Sequence, residues 1–214
     1  HHGKPHSDDY YWLREKENSE VIEYWEAENE YTESMMAHTD SLQKTLFREI
    51  RGRIKEEDLS VPVQQDDYFY YYRTEEDQQY GIYCRRKGSM NDPEEILLDE
   101  NALAEGKEYF QIGLFEVSPD HSLLAYSTDT DGSEQYVIHF KALTTGELLP
   151  DQIPNAEYSG EWANDSRTFC YATLDETRRP YRFYRHVLGT DIASDPMILE
   201  ELDCLLYTSD AADE

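Results

Sequence analysis

Seven histidines, 47 acidic side chains and many serines could in principle support catalysis, so their spacing decides what chemistry is available. A nucleophile elbow of the G-x-S-x-G kind needs two glycines four positions apart, and none of the ten glycines are so placed. The same test removes G-x-G-x-x-G and the P-loop. Ser159-Gly160 follows Ala156 and Tyr158 and lacks the elbow. His2 and His6 are four apart, but flank a Lys4-Pro5 segment with no helical signal. His121, His139 and His186 fall in turn or strand positions of separate units and are expected to be ordinary polar surface. Ser127-Thr128-Asp129-Thr130-Asp131-Gly132 mimics the centre of an EF-hand loop. Its first ligand would be Ser127, however, and the twelfth position is Ile138, so a hairpin loop is expected. The basic clusters Arg85-Arg86-Lys87 and Arg178-Arg179 are read as hairpin charges. No residue is therefore assigned a catalytic, cofactor-binding or metal-binding role.

The elements that would position such residues come from a repeat. Ser118-Pro119-Asp120-His121-Ser122-Leu123-Leu124-Ala125-Tyr126-Ser127-Thr128 returns forty-five residues later as Ala163-Asn164-Asp165-Ser166-Arg167-Thr168-Phe169-Cys170-Tyr171-Ala172-Thr173. Without a gap, Tyr136 to Phe140 then falls on Tyr181 to Arg185. A period of ~40–50 residues built from short strands is the signature of a β-propeller blade. Polar turn formers precede each aromatic, apolar run, and a glycine turn (Gly146, Gly189) precedes a final strand. A looser copy lies upstream, where Asp66 to Tyr72 matches the first strand. Gln79-Tyr80-Gly81-Ile82-Tyr83-Cys84 matches Gln135-Tyr136-Val137-Ile138-His139-Phe140. Asn101 to Phe110 interrupts the pattern with an excursion containing one helical turn. About three blades are expected, too few to close a ring of ~4–8.

Residues 1–58 differ: they show two helical patterns and no strand signal. Asn18 is a capping candidate for the first, with Ile22, Trp25 and Asn29 on one face. Asp40 is the candidate for the second, which places Leu42, Leu46, Phe47, Ile50 and Ile54 on a stripe. Each helix has one apolar face that needs a partner. The expected class is mainly β with an N-terminal helical segment. Its divisions are 1–58 helical extension, 59–203 first propeller blades, and 204–214 tail.

The net charge of −28 divides as −7 on residues 1–58 and −21 beyond. Nucleic acid would be repelled, whereas a cationic peptide would be attracted and steered. No run of ~18 apolar residues is present to span a membrane. The odd count of cysteines (Cys84, Cys170, Cys204) fits reduced thiols of a cytoplasmic protein better than disulfides or a metal site.

Asp8-Asp9-Tyr10-Tyr11-Trp12-Leu13-Arg14 resembles the entry segment of the prolyl oligopeptidase family of serine peptidases, most closely its oligopeptidase B branch. Trp25-Glu26-Ala27-Glu28-Asn29, Ile96 to Asn101, Val117-Ser118-Pro119-Asp120 and Tyr184 to Thr190 are similar to further family segments, in order, between His2 and Asp203. The resemblance implies a seven-bladed propeller that gates access to an α/β-hydrolase domain. It also implies N-terminal helices packed on that domain and a Ser-Asp-His triad beyond this chain. Cleavage of short peptides after Lys or Arg follows for that branch, with the chain itself inactive and no cofactor required. After Asp203 the expected pattern is not found, which suggests that 204–214 is not native. The alternative is a free-standing acidic propeller module that binds basic peptides or proteins.

Overall fold

A computed structural model describes residues 7–203. The chain forms two compact units, divided between Lys55 and Glu56.

In the first unit a 3-10 turn, Tyr11–Arg14, leads to α1 (Ser19–Met36). The Asn18 side chain accepts from the Glu20 amide and satisfies one of the free donors at the helix start, as expected. The expectation for Asp40 needs correction, because α2 (Asp40–Arg51) begins at that residue and Thr39 stands at its cap without a side-chain bond. A 3-10 turn, Ala37–Thr39, delivers the chain to α2 already helical, so no extended residue precedes it to fold a side chain back. Val21 is fully buried, whereas Trp25, Leu42, Phe47, Ile50 and Ile54 are 41–64% exposed. The apolar stripe read from the sequence is therefore bare.

The second unit is an arc of three antiparallel blades, each four strands across, the innermost position of the first being split between two short strands. Blade 1 contains the short β1 (Asp58–Leu59) and β2 (Val63–Gln65), both paired to β3 (Tyr68–Thr74). β4 (Ile82–Lys87) and β5 (Glu94–Asp99) complete it. The expected helical turn follows as α3 (Glu100–Ala104), capped by Asp99. Blade 2 runs from β6 (Gln111–Val117) through β7 (Leu123–Asp129) and β8 (Tyr136–Ala142) to the first half of β9 (Leu148–Trp162). Blade 3 takes the second half of β9, then β10 (Thr168–Leu174), β11 (Pro180–Val187) and β12 (Met197–Glu200).

β9 joins the two later blades covalently and by hydrogen bonds. Ile153 pairs with Ile138 of β8, Trp162 pairs with Phe169 of β10, and Ala156 pairs with both Tyr136 and Thr173. Blades 2 and 3 thus form one continuous seven-stranded sheet, while blade 1 is a separate sheet. The aromatic cluster Phe140, Trp162 and Phe169 fills the space between blades 2 and 3, with ring centroids 5.1–5.6 Å apart edge to face. Leu97, Leu98, Leu124 and Tyr126 fill the space between blades 1 and 2.

The upstream copy of the repeat is shifted by one residue from the alignment read in the sequence. Arg85 pairs with Tyr70 and faces blade 2, and its counterpart is Phe140, which pairs with Ala125 and faces blade 3. Cys84, aligned with Phe140 in the sequence, belongs to a separate cluster with Tyr71 and Ile82. A shift of one residue in a strand exchanges the two faces, so only the structure fixes this alignment.

Candidate functional site: the inner strands and the seams between blades

The first strand of each blade is the one that lines the central axis of a propeller. In blades 2 and 3 these are β6 and the second half of β9, which carry Glu116 and Glu161 at the same place in the 45-residue repeat. Burial raises the Glu116 pKa above the ordinary carboxyl value, and the nearby Glu161 raises it further. The Trp162 indole donates to the Glu116 carbonyl (3.0 Å), which fastens the two inner strands together below these carboxylates. The inner wall of the arc is therefore acidic and rigid. It can attract and steer cationic groups.

Two polar seams hold the blades in position. Between blades 1 and 2, His121 Nε2 lies 3.0 Å from Asp66 Oδ2, and its Nδ1 lies 2.7 Å from the Tyr70 hydroxyl. The carboxylate only accepts, so Nε2 is the donating nitrogen. Arg85 grips Glu95 through two nitrogens (2.8 and 2.9 Å) and donates to the His121 carbonyl (2.7 Å). Tyr83 stacks on Phe115 at 4.2 Å across the same seam. Between blades 2 and 3, His186 sits between two aspartates, with Nε2 3.0 Å from Asp151 and Nδ1 2.9 Å from Asp195. Tyr171 donates to Asp195, and the Gly189 amide donates to Asp151. Lys141 holds the equivalent position in blade 2, forty-five residues earlier, and donates to the Leu97 carbonyl of blade 1 (2.8 Å). The repeat thus places a polar side chain at one site of the third strand to bind the fourth strand of the preceding blade.

These positions correct two expectations. His186 is fully buried and His121 and His139 are partly buried, so the histidines are interior and seam residues rather than surface. Burial lowers the His139 pKa. Arg85, only 3% exposed, and Arg86 lie on β4 and are paired within blade 1, where they are structural rather than hairpin charges. In each case sequence pattern gave the strand but not the face, and the face decides burial. The remaining flagged residues lie where expected. The calcium-like string forms the β7–β8 hairpin, in which Asp129 accepts from the Asp131, Gly132 and Glu134 amides. Arg178 and Arg179 lie in the β10–β11 hairpin. Ser159 donates to Glu157 two residues before it. Among the described residues no group of three or more His, Cys, Asp or Glu side chains could hold a metal ion, and no helix is long and apolar enough to cross a membrane. Cys84 is buried, Cys170 half-buried, and both are free thiols. His2, His6, Cys204 and the expected tail lie outside the described residues.

Residues 1–212 match the family model for the N-terminal β-propeller domain of prolyl oligopeptidase. The chain is 42% identical to dipeptidyl aminopeptidase BI of Pseudoxanthomonas mexicana, over 96% of its own length and 31% of that protein. It is 39% identical to protease 2 of Moraxella lacunata, over 94% of its own length and 30% of that protein. Among solved structures, oligopeptidase B from Leishmania major superposes with a TM-score of 0.87 at 31% identity, covering 94% of this chain and 29% of the other. Oligopeptidase B from Trypanosoma brucei with covalently bound antipain gives 0.86 at 30% identity, again over 94% and 29%. The chain spans less than a third of the length of these relatives.

Proposed function

The chain belongs to the prolyl oligopeptidase family of serine peptidases, whose N-terminal β-propeller it carries in part, and from that premise we propose that it gates a peptidase cleaving short peptides after Lys or Arg. The observation that carries this reading is the acidic inner wall, with Glu116 and Glu161 at equivalent places on adjacent inner strands. A basic side chain moving along that wall is attracted, and an acidic one is repelled. The catalytic serine, aspartate and histidine belong to an α/β-hydrolase domain encoded after these residues. The bare apolar stripes of α1 and α2 suit that domain as their partner. The 214 residues alone are inactive. The free thiols Cys84 and Cys170 support a cytoplasmic setting.

The test is to extend the reading frame at the intact locus and assay both polypeptides. The longer one, containing G-x-S-x-G and a late Asp and His, is expected to cleave after arginine at least ~10²-fold better than after citrulline. The 214-residue chain is expected to give no turnover. Equal cleavage after citrulline, or no downstream hydrolase domain, would overturn the proposal. The 42% identity to a dipeptidyl aminopeptidase favours a second reading, release of dipeptides from free N-termini. N-terminal acetylation of the substrate separates the two, because it blocks only the second.

A further inference from the structure

A cavity of about 480 Å³ opens between blades 2 and 3, bounded by the start of β6, the β7–β8 hairpin, the middle of β9 and the β10–β11 hairpin. Tyr136 lines it and is only 4% exposed. Its hydroxyl makes no hydrogen bond among the described residues and is open to the cavity rather than sealed in the core. Its ring packs against Gly113, where a Cβ would lie 2.6 Å from the ring carbons, so the absence of a side chain at 113 leaves the phenol its place. Burial, and then the negative charges of Asp129, Glu134 and Glu157, raise the Tyr136 pKa, so the phenol keeps its proton at neutral pH.

The other polar groups at the cavity are unevenly charged. Glu134 and Glu157 bring two carboxylates, against one guanidinium from Arg178, which is already bonded to the Ser133 carbonyl. Glu157 Oε2 accepts from the Ser159 amide, leaving its second oxygen available, and the Glu134 carboxylate has no bond among the described residues. Tyr158 is 62% exposed at the rim and meets Tyr136 edge to face, with centroids 6.4 Å apart. Solvated hairpin acids would account for the carboxylates, but not for an otherwise buried tyrosine that turns its free hydroxyl into the same cavity.

We propose that this inter-blade cavity binds the guanidinium or ammonium group of a basic peptide side chain, held between Glu134 and Glu157, with the Tyr136 hydroxyl as a third acceptor and the Tyr158 ring against the aliphatic stem. An anion would meet two carboxylates, and a neutral group would leave them unpaired. The volume is within the range of small-molecule sites and admits one side chain with its flanking peptide groups. The inference concerns binding by the propeller itself and does not depend on peptidase activity.

The probe is N-acetyl-arginine amide, titrated calorimetrically into the 214-residue chain, with N-acetyl-citrulline amide as its neutral counterpart. Saturable binding at one site is expected, at least ~10-fold weaker for citrulline. Glu134→Gln and Glu157→Gln should each weaken the arginine probe about 5-fold, and Tyr136→Phe about 3-fold, with unchanged circular dichroism. Both glutamate changes lie at the rim of the cavity and conserve shape, so they test the site without removing core packing. Equal binding of the two probes, an unaffected double glutamine variant, or no saturation would each overturn the proposal. Failure here would leave cleavage after Lys or Arg by the longer polypeptide standing. Conversely, probe binding together with a parent that ignores basic residues would refute the gating proposal and retain the cavity.

Discussion

Glu116 carries its charge at a disadvantage, and the direction of that cost can be tested. Its folded pKa is raised above the ordinary value by burial and by Glu161. A raised folded value means that the group favours the fold below the unfolded pKa and loses that contribution as pH rises through the folded pKa. Glu116→Gln should therefore raise the melting temperature at pH 7, by ~2 °C, and should match the parent near pH 4. No gain at pH 7, or an equal gain at both values, would show that this account is wrong. The turn aspartates act in the opposite sense. Asp120 and Asp165 are lowered by the hydrogen bonds they accept, and Asp175 is brought down to about 2, chiefly by Thr177. Their contribution is present above the unfolded carboxyl value and disappears as pH falls towards about 2, so acid weakens the hairpins. Asp120 and Asp165 were legible in the sequence, because Asp-Ser and Asp-His pairs at a fixed period signal turns. Arg85 and His186 were not, because their partners lie 9 to 36 residues away on other strands and loops.

At the scale of elements, the second and third strands of each blade were readable, and the innermost strands were not. Gln111–Val117 has glycine and glutamate among its apolar residues and lacks a clean alternation, so no strand could be read there. The second half of β9 was hidden for a different reason. A blade was expected to end on its fourth strand, whereas this chain continues through Ala156 into the next blade without a turn. The acidic wall lies on these two strands, and so the candidate site was invisible while the scaffold was plain. Packing between blades gives the prediction at this scale. Phe140 is fully buried and touches Trp162, Phe169 and His186. Phe140→Ala should cost about 3–5 kcal/mol in denaturant unfolding, from lost transfer energy plus the cavity left behind. A loss below about 1 kcal/mol would mean that blades 2 and 3 are not held together by this cluster.

For the molecule as a whole, the unequal division of the sheets has a dynamic consequence. Among the described residues blade 1 shares no strand ladder with its neighbour and meets it through side chains, among them His121 with Asp66 and Tyr70, the Arg85 contact, the Tyr83–Phe115 stack, the Lys141 bond to the Leu97 carbonyl and the Leu97, Leu98, Leu124 and Tyr126 cluster. Blades 2 and 3 share β9, so neither can detach without breaking a ladder that belongs to the other. In native-state hydrogen exchange, amides of β7, β8, β10 and β11 should open with one common free energy and one denaturant slope. Those of β3 and β4 should open earlier, as a separate unit. Different slopes for β7 and β10 would mean that the shared strand does not couple them. If the slopes agree, the smallest cooperative piece of this propeller is a pair of blades spliced through one strand, and the blade read from the repeat is a unit of sequence but not of stability.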